Sequence, residues 1–486
     1  MQALGVGLVY WQELEPLFDG GLVQVLELEA QTLWEKSGRR GALEYRVNDG
    51  LLERIAALPQ AKLVHGVGHP LGGLADDPVD WTAAFAHCTE VLAPAWASEH
   101  LSFNRYRPGN GAPVAETSFL LPPRQTAAGV AVAARNVRRL RDVAGVPVAF
   151  ETGVNYLRPR ADELPDGAYF AAIAEGADCG ILLDLHNLWA NERNGRMPLR
   201  EVLADLPLER IWELHLAGGS ALDGYWLDAH DGLVDAELHE LAAELIPRLP
   251  NLGAINFEIL PQYVERTGLD RIARQLEDLR DLWALRRPLH VMAPPSDAAS
   301  DSPHAVPRAA PPWPDGAALL DMQRWERSLG ALALGLPPPA DALPGMDTAG
   351  GAIFEQLVRE FRAGRIVRVL RYSLLLLLRE LGAARVDALI RSYCRACPSD
   401  IFTAVEAERF AEFLRDKLAD GTIAVPLLDE VLAFERAMIA ASLWGRDATL
   451  HWSVDPVQLL ERIEAGRPLA TLARVPLEMQ VEGIGA

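Results

Sequence analysis

The chain has 486 residues, half of them hydrophobic, and a formal net charge of -21. That length exceeds one typical domain and suits a barrel of about 250 residues with a smaller unit beside it. The acidic balance argues against a nucleic-acid-binding surface, because nothing in it offsets repulsion from phosphates, and it fits a cytoplasmic protein.

The chain opens without a basic stretch and apolar run of the secretory kind, and Leu4 to Tyr10 reads as a first strand. From residue 1 to about 290, short apolar runs alternate with longer amphipathic segments, the pattern of repeated βα units. Eight strand candidates follow one another, beginning at Leu4, Val23, Leu63, Trp96, Val146, Gly180, Arg210 and Gly253. Helical patterns lie between them, for example Thr126 to Ala144 and Leu238 to Leu249. This order predicts an α/β fold, a TIM-type (β/α)8 barrel over residues 1–290, with its functional residues at the carboxyl ends of the strands.

Residues that bind metals or move protons fall at those ends. His65 closes the third run, Glu99 and His100 follow the fourth, Glu151 follows the fifth, and Asp184 ends the sixth. Glu213 and His215 lie in the seventh, Asp228, His230 and Asp231 in the loop after it, and Glu258 at the end of the eighth. Glu213 and His215 share one face of their strand, since side chains repeat every two residues. The set His65, His100, Glu151, Asp184, His215, Asp228, His230 and Glu258 mixes imidazole with carboxylate. No cysteine takes part, which leaves non-haem iron, manganese or catalytic zinc. The donors outnumber what one ion can use, so two or three ions sharing carboxylates is the natural inference.

Residues 291–315, rich in proline and alanine, read as a semi-extended linker. Beyond it, residues 316–486 form a smaller, mainly helical domain, helical from Met322 to Trp444 with a short strand near Leu450 to Val454. The leucine-rich run Ile366 to Leu381 is broken by Arg368, Arg371, Arg379 and Glu380; it is expected to be a buried helix and no membrane span. The four cysteines are too few for a disulfide scaffold, and Cys394 with Cys397 lacks the context of a zinc or redox motif.

The segments LVHGVGHPLGG, ASEHLSF, FETGVNYL, GILLDLHNLWAN, ELHLAG, LDAHD and NFEIL, in this order, resemble the multinuclear non-haem iron-dependent oxidative enzymes, the family of the methanobactin oxidase catalytic subunit. The resemblance covers residues 1 to about 285. It implies two to three irons per chain, dioxygen as co-substrate, and oxidative modification of a ribosomally synthesised precursor peptide, commonly at cysteine. By motif, the implied iron ligands are His65, His100, Glu151 as a bridging carboxylate, Asp184, His215, Asp228, His230 and Glu258. His186, Asn187 and Asp231 are the implied catalytic residues beside them. His186 departs from the family's asparagine; it shares a face with Asp184 if the strand continues, and packs on Trp189 if the strand has ended. Gly219 stands where a histidine is common, and Glu151-Thr152-Gly153 and Glu258-Ile259-Leu260 also depart from the usual motifs.

The C-terminal run from Arg371 to Lys417 and that from Val425 to Ser442 are similar to the helical helper proteins of these enzymes, which help to recognise the precursor. Enzyme and helper are then fused, at a high effective concentration. On this reading a chain ending near Arg287 keeps its iron and loses turnover at low peptide concentration. Two other readings stay open on residue chemistry alone: a divalent-metal sugar isomerase or phosphoesterase barrel, and a non-catalytic metal- or peptide-binding module.

Overall fold

A computed structural model describes residues 1–36, 45–109, 111–287 and 311–483. Eight parallel strands, β1 (Gly5–Val9), β2 (Val25–Glu29), β5 (Ala61–Gly66), β6 (Ala97–His100), β9 (Val148–Glu151), β10 (Gly180–Asp184), β11 (Ile211–Ala217) and β14 (Ala254–Glu258), close a barrel in sequence order. Four antiparallel pairs accompany it: β3 (Trp34–Lys36) with β4 (Tyr45–Val47), β7 (Phe103–Tyr106) with β8 (Ala115–Leu121), β12 (Ser220–Leu222) with β13 (Tyr225–Leu227), and β15 (Ala448–Val454) with β16 (Arg474–Val481). All eight barrel strands coincide with the apolar runs expected. Parallel strands are covered on both faces, so they read as continuous hydrophobic stretches.

The barrel helices are α1 (Asp49–Ala56), α2 (Val79–Leu92), α3 (Ala127–Ala144), α4 (Asp166–Ala177), α5 (Leu185–Arg193), α6 (Leu199–Asp205), α7 (Ala236–Leu245), α8 (Pro261–Thr267) and α9 (Leu269–Ala284). Thr126 caps α3, its side chain accepting from Gly129 N, and Gly145 ends the helix in the left-handed conformation. The main core lies between the strands and these helices, with a small inner cluster that includes Val25, Leu63, Trp96 and Leu182 filling the base of the barrel.

Most of the expected linker lies outside the described residues. From Gly316 the chain forms α10 (Gly316–Ala333), α11 (Thr348–Val369), α12 (Arg371–Leu381), α13 (Ala383–Ala396), α14 (Thr403–Ala419), α15 (Leu428–Trp444) and α16 (Pro456–Glu464). The leucine-rich run is two helices, because Leu370 leaves helical geometry (φ -102°, ψ 48°) and Glu435 on α15 accepts from the amides of Tyr372 and Ser373 in the new first turn. Helices α11 to α16 and the β15–β16 pair share their own core. Helix α10 and the first half of α11 join a third cluster with barrel residues, in which Trp325, Leu329 and Phe354 pack with Phe103, Tyr106 and Tyr156. Among the hydrogen bonds that pin that seam are those from Trp325 Nε1 to the Pro122 carbonyl (3.0 Å) and from Leu74 N to Glu326 Oε1 (2.7 Å). All four cysteines are free, and among the described residues no helix is long and apolar enough to cross a membrane.

Candidate metal centre

The carboxyl ends of the barrel strands bring the eight expected ligands together in three overlapping groups. His65 (β5), His100 (β6) and Glu151 (β9) form the first; Glu151, Asp184 (β10), His215 (β11) and Glu258 (β14) the second; Asp184, Asp228 and His230 the third. Glu151 belongs to two groups and Asp184 to two, so the donors run in a chain across the mouth. A register shift between β10 and β11 sets Asp184 level with His215. A fourth group, Glu27, Glu213 and His215, lies deeper.

Within the first group His65 Nε2 is 3.1 Å from His100 Nε2 and 3.2 Å from Glu151 Oε2, and His100 Nδ1 is 2.8 Å from the same oxygen. His65 Nδ1 lies 2.8 Å from Ser98 Oγ, a partner that turns Nε2 towards the mouth. In the second, His215 Nδ1 is 2.9 Å from Glu258 Oε1 and 3.8 Å from Glu151 Oε1. In the third, His230 Nε2 is 2.7 Å from Asp228 Oδ1 and 3.3 Å from Glu258 Oε2. His230 holds a left-handed φ of 45°, uncommon outside glycine, and its carbonyl accepts from Leu260 N (3.0 Å).

The electrostatics are those of a crowded and largely buried site. Burial alone would lower the His65 imidazole, yet Glu151 and Glu27 raise it to about 10. Burial is likewise overcome at His215 by Glu258 and Glu27, and at His230 by Asp228 and Glu258, so both rise well above the usual range. Asp184 is pushed well up by burial and then by the Asp228 carboxylate. Glu151 is held well down despite burial, by His100 and His65.

Glu151 Oε2, His215 Nδ1, Asp228 Oδ1, His230 Nε2 and Glu258 Oε2 are buried and lie 2.7–3.3 Å from neighbouring ligand atoms without well-directed hydrogen bonds, and Asp184 Oδ2 has no hydrogen-bond partner among the described residues. Buried polar atoms are seldom left so, and six in one place, all of ligand type, fit cations seated between them. Oxygen and nitrogen donors without thiolate suit a first-row divalent metal.

The three other implied residues sit differently. Strand β10 ends at Asp184, whose carboxylate caps α5 by accepting from Asn187 N (2.8 Å), so His186 is helical. Its ring packs 6.0 Å from Trp189, yet Nδ1 still lies 3.2 Å from Asp228 Oδ1. Trp226 Nε1 donates to His186 Nε2 (3.2 Å), which places the ring proton of the neutral form on Nδ1, towards Asp228. Gly219 is required here, because a methyl group would lie 2.5 Å from His186 Nε2. Asn187 is buried, with Nδ2 3.4 Å from the Thr152 carbonyl. Asp231 stands apart from every group, 3.9 Å from Arg266 Nη2.

Glu29 was not among the candidates the sequence offered, whereas Glu99 was one of the residues expected at the strand ends. Glu29, at the end of β2, is pushed up by burial and feels His65 and His100. Glu99 lies on the outer face of β6, accepts from the amides of His69 (2.7 Å) and His100 (2.9 Å), and is raised by burial to about 7. The Glu27-Leu28-Glu29 alternation was the available signal for Glu29.

The closed parallel barrel, with imidazole and carboxylate donors at the carboxyl ends of its strands, defines a TIM-barrel protein whose mouth is compatible with metal binding. The family model of the RiPP precursor modification enzyme MbnB/TglH/ChrH matches residues 47–266. A UPF0276 protein of Chromobacterium violaceum is 33% identical over 214 residues, 43% of this chain and 75% of that protein. One of Anaeromyxobacter sp. is 33% identical over 195 residues, 40% of this chain and 66% of that protein. The chain belongs to this family of RiPP precursor modification enzymes. Among solved structures, the E. coli 3-keto-D-glucoside 4-epimerase YcjR aligns over 57% of this chain and 98% of its own, at 12% identity and a TM-score of 0.36.

Proposed function

We propose that the protein is an iron- and dioxygen-dependent oxidase or oxygenase that modifies a ribosomally synthesised precursor peptide, at a cysteine or another residue of its C-terminal region. The observation that carries this reading is the sharing of Glu151 and Asp184 between neighbouring donor groups, which suits two to three ions bridged by carboxylates better than one. Bound iron would supply the electrons that activate dioxygen. His65, His100 and Glu151 would hold one ion, Glu151, Asp184, His215 and Glu258 a second, and Asp184, Asp228 and His230 a third.

The chain's own residues do the positioning. Glu27, 2.9 Å from His215 Nε2, favours the proton on that nitrogen and leaves Nδ1 free for metal. His100, Asp228 and His230 are the ligands most open to solvent, with side chains 18, 19 and 21% exposed, so substrate would enter on their side. Residues 316–486 would act as the helper that binds the precursor. A groove of about 550 Å³ is lined by Leu157, Arg158 and Arg160 of the barrel with Trp325, Met346 and Asp347, and it would offer a peptide a surface shared by the two regions.

Anaerobic metal analysis with oxygen-uptake measurements tests the proposal, using a precursor encoded beside the gene as the probe. Two to three irons per chain and peptide-dependent oxygen uptake are expected. One zinc, no iron and no oxygen uptake would overturn it in favour of a hydrolase or isomerase.

A further inference from the structure

Asp228 and His230 of the third donor group hang on the most exposed stretch of the site, the segment from β13 to Asp231, and Asp228 is fixed there by few groups. Its backbone amide donates to the Tyr156 hydroxyl (3.2 Å). Tyr156, in the loop after β9, is only 3% exposed, and its ring is gripped on two sides: Tyr225 on β13 at 6.2 Å and Phe354 on α11 at 5.2 Å, both edge to face.

The first turn of α11 is clamped onto the same loop. Asp347, its cap, accepts from Ala349 N (3.0 Å) and Gly350 N (3.2 Å) with one carboxylate oxygen and from Arg158 N (2.9 Å) with the other. Gly350 lies so close above residue 156 that a methyl group there would overlap the Tyr156 carbonyl oxygen. Gly364, further along the same helix, faces open space. A glycine inside a helix costs about 0.5–1 kcal/mol relative to alanine, so one seated where a backbone must approach has a reason that Gly364 lacks.

We propose that α11 is a structural part of the metal site: its first turn, seated through Gly350 and Asp347, presses Tyr156 into place, and Tyr156 positions Asp228 as a ligand. The C-terminal region thereby sets the occupancy of the third donor group. Tyr156 and Gly350 are positioning residues, the Tyr156 hydroxyl being turned to the Asp228 amide. The role of Asp228 as a ligand rests on the reading proposed above, whereas the brace itself is a property of the metal-free chain.

Two measurements on the full chain separate the two claims. In metal-free protein, amide hydrogen exchange at Asp228 should accelerate about tenfold or more in Tyr156→Phe, which removes one oxygen and keeps the ring, and in Gly350→Ala; Gly364→Ala should match wild type. In anaerobic Fe(II) titrations, the first two variants should bind their weakest iron about tenfold less tightly and keep the rest. Unchanged exchange at Asp228 in Tyr156→Phe overturns the brace, even if Gly350→Ala fails to fold. Accelerated exchange with unaltered iron binding overturns the link to the metal site. A wild type that binds no Fe(II) while its variants exchange faster sinks the functional reading and leaves the brace standing.

Discussion

Glu27 lies in a polar pocket at the barrel axis that has no access to water. Its Oε2 accepts from Asn256 Nδ2 (3.1 Å), which also donates to Glu213 Oε1 (2.6 Å), and Trp96 Nε1 holds the other Glu213 oxygen (2.7 Å). One amide thus ties together two buried carboxylates beneath His215. Outer partners of this kind orient a metal-bound histidine, and losing one costs about 10–100-fold in metal affinity. Glu27→Ala should therefore weaken Fe(II) binding by that order, measured by anaerobic titration. Glu151→Ala should cost more, because two donor groups share that carboxylate. Equal losses in the two variants would place Glu27 among the ligands. His186 acts on Asp228 from the other side, with its tautomer set by Trp226. His186→Asn is expected to keep iron content near normal while changing the rate or the product distribution. Loss of a whole iron would promote His186 to a ligand, and an unchanged rate and product would leave it a packing residue against Trp189.

The barrel strands were legible because they are largely buried on both faces, as in Gly180–Asp184 and Ala254–Glu258, so apolar residues dominate them even where Glu213 and His215 interrupt β11. Asp184 and Glu258 end those runs, which made their half of the site legible as well. The hairpins over the mouth were harder to read. The Asp223-Gly224 turn between β12 and β13, with φ of 49° and 86°, and the Asn110-Gly111 pair between β7 and β8 carry local turn signatures. No residue near Leu370 marks the break between α11 and α12, because the cap comes from Glu435 far along the chain. Helix α10 carries another feature that only packing reveals, the Glu326 carboxyl, buried at the seam and raised by burial to about 8 against Leu74 N and Arg327. Below about pH 4.5 the acid is protonated whether the chain is folded or not, and it costs nothing. Above that, the unfolded chain releases its proton first, so stability falls as pH rises towards 8 and then levels off. Glu326→Gln should remove that slope, matching wild type near pH 4.5 and exceeding it by on the order of 2–4 kcal/mol above pH 8. Denaturant midpoints at the two pH values measure this, and identical slopes would mean that Glu326 ionises freely in the folded chain.

At the scale of the whole molecule, a tethered helper and a shared core make opposite demands on the join between barrel and helices. A helper that merely raises local peptide concentration could be cut away and leave the barrel intact with all its iron, as the sequence reading expected. The structure puts a hydrophobic cluster across the join: Phe103, Tyr106, Leu121, Tyr156, Leu157 and Leu227 are each at most 7% exposed, and α10 and α11 pack against them. A chain ending at Arg287 would bare these side chains together, and exposed apolar patches of several hundred Å² promote association. It would also remove Phe354 and Gly350, and with them the clamp on Tyr156. The truncated chain is therefore expected to self-associate by light scattering and to fall short of the full chain by about one iron. Supplying residues 311–486 as a separate chain should restore both, since the seam can form between two molecules as it does within one. A truncated barrel that stays monomeric, keeps every iron and loses only turnover at low peptide concentration would show instead that the seam is a passive contact and the C-terminal region a peptide carrier.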